Sequence, residues 1–368
     1  METKLYNDFN DKTIEELGAL LRKGSLVAIP TETVYGLGAN GLDEAAMSRI
    51  YEAKGRPSDN PLILHVPGQE EVAPLVAEVS PTAKALMDAF WPGPLTIIMP
   101  KSDKVPLRAT GGLNSVALRC PDHPVCHAIL KAAGVPVAAP SANISGRPSP
   151  TTADDVYRDM NGRIEAIADA GPCEVGLEST IVECADDKVV ILRPGAITAD
   201  MLKEVVSDVS FDQAIVSPDV APKAPGMKYK HYAPNANLIT LVGETKALGE
   251  ALSYILDHKG HVEVDTYPQL SGLISSFEAD EKLGLLLSEE VAEAVKPHLE
   301  ELHIPYHLIV YGEAEDYASL ARILYRSLLE FNDANVSRIF ATGVGTEGLG
   351  KAIMNRMDKA SAHHVVEV

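Results

Sequence analysis

Apolar positions near the start of the chain recur at helical spacing. Ile14, Leu17, Leu20 and Leu21 line one side of a segment from about Thr13 to Lys23, and Gly24 supplies its stop. Leu-Val-Ala-Ile within Ser25–Pro30 then predicts a short buried strand. Further strand-like runs are Leu62–Val66, Leu95–Met99, Ser115–Arg119, Val135–Ala139, Ser179–Glu183 and Val189–Leu192. Helical stretches such as Ala45–Lys54 and Thr82–Phe90 fall between them. Strands and helices mixed in this way predict an α/β domain wrapped on one sheet.

That pattern fades near Ser207. Between Ser217 and Pro234 four prolines and a glycine interrupt the chain, and proline removes amide donors and fixes φ. The segment reads either as a passive tether or, from Lys228, Tyr229, Lys230, His231 and Tyr232, as a linker that folds back onto something anionic. Beyond it, Leu238–Val242, Leu283–Leu287, Tyr306–Val310 and Val336–Ala341 alternate with helices around Thr245–Asp257, Glu290–Leu302, Asp316–Glu330 and Leu349–Lys359. Such alternation predicts a small doubly wound parallel sheet. The expected division is residues 1–208, a linker over 209–237, and 238–368.

Composition narrows the function. The apolar share of 46% and charged share of 23% are those of a globular protein. A formal net charge of -20 argues against a broad basic face for nucleic acid, yet leaves room for a small anion pocket. Four cysteines in 368 residues do not make a disulfide framework. No apolar run reaches the ~18 residues of a membrane span and the first ten residues show no leader pattern, so a cytoplasmic protein without membrane contact is expected.

Candidate chemistry lies in short clusters. In Pro30-Thr-Glu-Thr-Val-Tyr-Gly-Leu-Gly38, Thr31 and Thr33 follow a buried strand and Gly36 and Gly38 permit tight backbone. Lys54 and Arg56 are two cations separated by one glycine, read either as a solvated helix end or as a pair converging on a polyphosphate. Alternation along Ser115–Arg119 puts Ser115, Ala117 and Arg119 on one face, with Arg119 placed to fork onto a carboxylate. Ser141, Asn143 and Ser149 occupy a Pro- and Gly-rich loop, which is either turn chemistry or a ligand cradle. Ser179 and Arg193 stand at strand ends. Cys120, His123, Cys126 and His127 imitate a zinc site, but Pro121 and Pro124 crowd the loop and no second ligand pair follows. Gly343-Val-Gly-Thr-Glu-Gly348 matches a dinucleotide fingerprint with Glu367 about 20 residues on, and reads as a tight strand-to-helix turn.

Taken in order, Pro30–Gly38, Lys54-x-Arg56, Asn60-Pro-Leu, His65, Trp91-Pro-Gly-Pro-Leu-Thr, Arg119-x-Pro-x-His-Pro, Pro140-Ser-Ala-Asn, Glu178-Ser-Thr-Ile and Leu192-Arg-Pro-Gly resemble the YrdC-like threonylcarbamoyl-AMP synthases in their long two-domain form. The linker's His231-Tyr-Ala-Pro and the late Glu347-Gly-Leu-Gly-x-Ala-Ile-Met-Asn-Arg match that form as well. The resemblance implies an α/β fold: a twisted mixed sheet in a YrdC-like N-terminal domain with a cationic cavity, and a smaller Rossmann-like parallel sheet. It implies an enzyme that condenses L-threonine, bicarbonate and ATP into threonylcarbamoyl-AMP and releases pyrophosphate, with Mg2+ bound mainly through the ATP phosphates. By carry-over Lys54 and Arg56 are catalytic. Thr33, His65, Arg119 and Ser179 would hold threonine. Arg56, Asn60, Ser115, Ser141, Asn143, Ser149 and Arg193 would hold ATP, with Tyr232 closing over the nucleotide. The implied product passes to a tRNA-modifying transferase complex, so direct tRNA binding is not obligatory. An RNA-binding module, a carbamoyl-transfer maturation factor and a nicotinamide-dependent dehydrogenase are the rival readings, opposed by the net charge, the lack of cysteine pairs and the weakness of a lone glycine motif.

Overall fold

The computed structural model describes residues 2–185, 187–213, 232–259, 267–277 and 281–368. The chain divides into two compact units, Met1–Tyr229 and Lys230–Val368. The division falls inside 214–231, so most of the expected linker, with Lys228, Tyr229, Lys230 and His231, lies outside the described residues.

The first unit is built on β1 (Lys4–Tyr6), β2 (Val27–Ile29), β3 (Gly36–Asn40), β4 (Ile63–His65), β5 (Leu95–Pro100), β6 (Ser115–Arg119), β7 (Val137–Ala138), β8 (Ala166–Ala168), β9 (Thr180–Ala185), β10 (Lys188–Arg193) and β11 (Asp208–Phe211). They form one mixed sheet in the order β1-β8-β2-β3-β7-β4-β6-β5-β9-β10-β11. The sheet therefore runs on to Phe211, past the expected domain boundary at 208, because β11 pairs in parallel with β10.

Local chemistry explains several boundaries. The first helix spans Asp11–Arg22 rather than starting at Thr13, because Asn10 caps it by accepting the Thr13 amide. Glu44–Lys54 is capped by Asp43 and ends at Gly55, whose φ of +61° is the left-handed conformation glycine adopts without strain. The glycines of β3 mark a close approach. A Cβ on Gly38 would lie 3.0 Å from a Val137 methyl, so the neighbouring strand reaches into the space a side chain would fill.

Both faces of this sheet are covered. One buries a large core that includes Leu37, Met47, Ile50, Leu64, Leu118 and Val182. A smaller core of Leu17, Leu21, Ile29, Ile129 and Leu130 packs the helices Asp11–Arg22 and Pro124–Ala133 on the other. These helices bury apolar stripes rather than single contacts, which is the main source of their stability.

The second unit has β12 (Asn237–Val242), β13 (Leu283–Leu287), β14 (Tyr306–Val310), β15 (Arg338–Thr342) and β16 (Val365–Glu367). All pairings described are parallel, in the order β14-β13-β15-β12-β16. The glycine motif follows β15, the fourth strand of this sheet, whereas a dinucleotide fold carries it after the first. Its glycines are used for packing. A Cβ on Gly350 would come within 1.9 Å of the Gly345 carbonyl oxygen, and one on Gly345 within 2.9 Å of the Tyr317 hydroxyl. The amides of Val344 and Gly345 are taken by Met354 sulfur and the Tyr317 hydroxyl. No helix among the described residues is long and apolar enough to cross a membrane.

Candidate active site

Five adjacent strands, β4-β6-β5-β9-β10, bring their polar ends to one edge of the first sheet. His65 ends β4 and pairs in register with Arg119, which ends β6. Arg119 pairs with Thr96 near the start of β5. Ser179 precedes β9, and Arg193 ends β10. β4, β6 and β10 run one way and β5 and β9 the other, so the first three end where the other two begin and these groups gather at one edge. All five side chains are buried.

Their contacts form a chain. Ser179 Oγ lies 2.7 Å from Thr96 Oγ1, and Arg193 donates to both the Ser179 carbonyl at 3.0 Å and its hydroxyl at 3.1 Å. Arg119 donates from Nε to the Gly93 carbonyl at 3.4 Å, and its guanidinium lies 2.7 Å from a Glu32 oxygen. Ser149 donates to Glu178 at 2.7 Å. His65 Nδ1 lies 3.2 Å from the Ile63 carbonyl. Burial and then the neighbouring Arg119 cation push the His65 pKa down to about 3, against the pull of the Ile63 and Val137 backbone. The imidazole is neutral at physiological pH, and positive charge at this edge comes from the two arginines.

Thr33 is wholly buried in the turn after β2. Thr31 Oγ1 accepts the amides of Thr33 and Val34 at 3.2 Å each and donates to the Val34 carbonyl, which fixes the turn.

A second group forms around the loop 139–149. Lys54 is buried at its helix end, and its ammonium donates to the carbonyls of Ser141 at 2.5 Å and Asn143 at 2.6 Å and to Asn143 Oδ1 at 3.4 Å. Asn143 in turn donates to the Ile144 and Arg147 carbonyls. Three acceptors require the ammonium form, although burial first and Arg56 second lower the Lys54 pKa well below its usual value. Lys54, expected to support the phosphates, directs its ammonium at the backbone of the loop that carries Ser141 and Asn143.

The remaining expected residues divide by strand end. Arg56 donates to the Pro61 carbonyl at 3.2 Å, and Asn60 is buried with its own carbonyl accepting from Tyr51. Ser115 opens β6 at the end opposite Arg119, about 13 Å away along the strand. Between these ends Ile63, Ala117, Ile181 and Leu192 make a small apolar floor, with Ala117 on the face shared by Ser115 and Arg119 as alternation predicts. Tyr232 lies in the second unit, where its ring stacks on Tyr325 at 5.0 Å; the approach of the linker to a nucleotide lies outside the described residues.

Sequence reasoning missed three groups: Glu32, Thr96 and Glu178. Each sits inside a quoted motif, and each is distinguished only by burial. The zinc imitation is dissolved by geometry. His123 caps the helix Pro124–Ala133 by accepting the Cys126 amide, and burial raises the Cys120 thiol to about 11 and the Cys126 thiol further, so neither offers a ready thiolate. A cavity of about 430 Å³ lined by Glu44, Ser48, Ser58 and Arg108 touches none of the groups above.

Two family models match the chain. One described as "Telomere recombination" covers residues 19–195, and one described as "Threonylcarbamoyl-AMP synthase, C-terminal domain" covers 197–362. A Bacillus subtilis protein named threonylcarbamoyl-AMP synthase is 40% identical over 358 residues, spanning 97% of this chain and 95% of its own. A Pyrococcus abyssi protein of the same name is 39% identical over 349 residues, spanning 95% and 94%. A crystal structure of the P. abyssi Sua5 protein complexed with L-threonine superposes with a TM-score of 0.84 at 37% identity, covering 100% of both chains.

Proposed function

This chain belongs to the threonylcarbamoyl-AMP synthase family in its two-domain form, and from that premise we propose how its buried site works. The enzyme joins L-threonine, bicarbonate and ATP into threonylcarbamoyl-AMP and releases pyrophosphate, in the service of threonylcarbamoyladenosine formation in tRNA. We assign the chemistry to the first unit. The observation that carries the reading is the buried belt of His65, Arg119, Thr96, Ser179 and Arg193 on five adjoining strands.

Arg119, with Thr33, His65 and Ser179, receives threonine. A neutral His65 leaves the guanidinium as the counter-charge for the substrate carboxylate. ATP extends from Arg56, Asn60 and Ser115 across the apolar floor towards Ser141, Ser149 and Arg193.

The threonine amine attacks bicarbonate, a carbamate oxygen attacks the α-phosphorus, and pyrophosphate departs. The protein's part is to hold two anions together and to neutralise charge as it develops. Lys54 and Asn143 serve by fixing the loop that cradles the phosphates. Mg2+ would be held mainly through the ATP phosphates and would supply charge neutralisation there. The carbamoylated product goes on to a tRNA-modifying transferase complex in the cytoplasm.

Incubation with threonine, bicarbonate, ATP and Mg2+ tests this directly. Pyrophosphate is expected only when all are present; release that persists without threonine would refute the reading.

A further inference from the structure

Glu32 stands between Thr31 and Thr33. Its carboxylate is buried, with both oxygens shielded from solvent. A carboxylate has room for about four donors. Here neither oxygen receives a hydrogen bond, and the approach of Arg119 at 2.7 Å is a charge contact without hydrogen-bond alignment. Glu178, the other carboxylate of the site, is engaged by Ser149.

The position of Glu32 is not accidental slack. Its carbonyl accepts the Val175 amide at 2.8 Å, and the Thr31 hydroxyl locks the turn on its other side. Cys120, Cys126, Cys173 and His123 also sense its charge; burial raises the three thiols and lowers the imidazole, which favours the neutral form of each. A buried acid with unused acceptor capacity, touching the arginine that would take a carboxylate, is what the zwitterion of an α-amino acid requires. Carboxylate and ammonium leave the same carbon, so a group that holds one must have a group for the other close beside it.

We propose that Glu32 receives the α-ammonium of the amino-acid substrate and accepts the proton that must leave nitrogen before it attacks. This deepens the proposed function and rests on it. One N–H bond breaks, its electron pair stays on nitrogen, and an O–H bond forms on Glu32. The amine then attacks bicarbonate; a C–N bond forms, and the second proton leaves nitrogen with the departing hydroxyl as water. Glu32 returns its proton to solvent after the product leaves.

The test compares threonine with (3R)-3-hydroxybutanoate, which keeps carboxylate and hydroxyl but lacks the amine, by calorimetric titration into the full chain. In Glu32→Gln, threonine affinity should fall roughly 10- to 100-fold while the analogue changes less than about threefold. Glu32→Asp, which keeps the charge, should retain a preference for threonine and covers the case in which the glutamine variant does not fold. Pyrophosphate release by Glu32→Gln should recover towards alkaline pH, where solution strips the proton that Glu32 no longer accepts. Equal weakening of both ligands would overturn the proposal, since Glu32 would then act only by positioning Arg119. Tighter binding of both would also overturn it, making Glu32 a stand-in for the substrate carboxylate. The titrations remain readable if the wild type releases no pyrophosphate, so failure of the proposed function and failure of the ammonium contact are distinguishable.

Discussion

Lys54 and Arg56 look alike in sequence, one glycine apart, yet their surroundings predict different consequences for the same loss. Replacing Lys54 by Met keeps most of the packing but removes the donors to the Ser141 and Asn143 carbonyls. Each of these two buried acceptors stripped of a charged donor costs about 1–3 kcal/mol, about 2–6 kcal/mol together, and relief of the buried charge returns part of that. The expected net loss is about 3 kcal/mol. Arg56 is half-buried, and its bond to the Pro61 carbonyl is 3.2 Å long, so Arg56→Ala should cost about 1 kcal/mol or less. The sole tryptophan, Trp91, lies in the core of the first unit, so urea titration followed by its fluorescence reports on the unit that carries the site. Lys54→Met should lower the midpoint by about 1 M at an unchanged slope, with Arg56→Ala near wild type. Both should abolish pyrophosphate release. A Lys54→Met protein as stable as wild type would refute the idea that the ammonium pins the loop, and so would an equal loss in Arg56→Ala.

Two further outcomes follow from buried groups. The folded chain keeps His65 neutral down to about pH 3 while the unfolded chain binds the proton near 6.5, so acidification through that window favours unfolding by up to about 1.4 kcal/mol per pH unit. His65→Asn should flatten that part of the stability curve of the first unit, measured by the same fluorescence between pH 6.5 and 4.5; an unchanged slope would show that the ring is already charged. In the second unit, Gly350→Ala places a Cβ 1.9 Å from the Gly345 carbonyl oxygen and should cost at least about 2 kcal/mol, seen as a lowered thermal transition by circular dichroism. A tolerated alanine would mean that the glycine motif is not there for packing.

The fold was legible where apolar runs are long enough to speak. Leu95–Met99 and Ser115–Arg119 became β5 and β6 almost as read, and four strands of the second unit lie within a residue or two of their expected places. β3 was not legible, because Gly-Leu-Gly-Ala-Asn looks like a turn until Val137 fills the space above Gly38. Edge strands β1 and β16 are too short to show a period. Two missed helices did carry signals. His123-Pro124 is a cap followed by proline at the first helical position, and Thr152 with Asp155 makes a capping box. The site was legible as a set of residue types, since threonines, arginines and serines at strand ends are local features. Direction was not: nothing in the order Lys-Gly-Arg says that the first cation turns inward to backbone carbonyls. Nor does an acid between two threonines announce that it is buried without a hydrogen-bond donor.

A molecule with a net charge of -20 can still present a site for anions, and the sheet explains how. Arg119 and Arg193 are only 4% and 6% exposed, so their fields act through protein rather than water. The excess of acids is spread over the surface, where charges more than about 10 Å apart are largely screened at ordinary ionic strength. What a ligand meets is therefore set by the strand ends and not by the total. Strand register holds those arginines where rotation of a long side chain in solvent would not, since each is tied by a second bond, to Gly93 and to Ser179. The entropy of ordering them is spent on folding the sheet, and binding meets charges already in place.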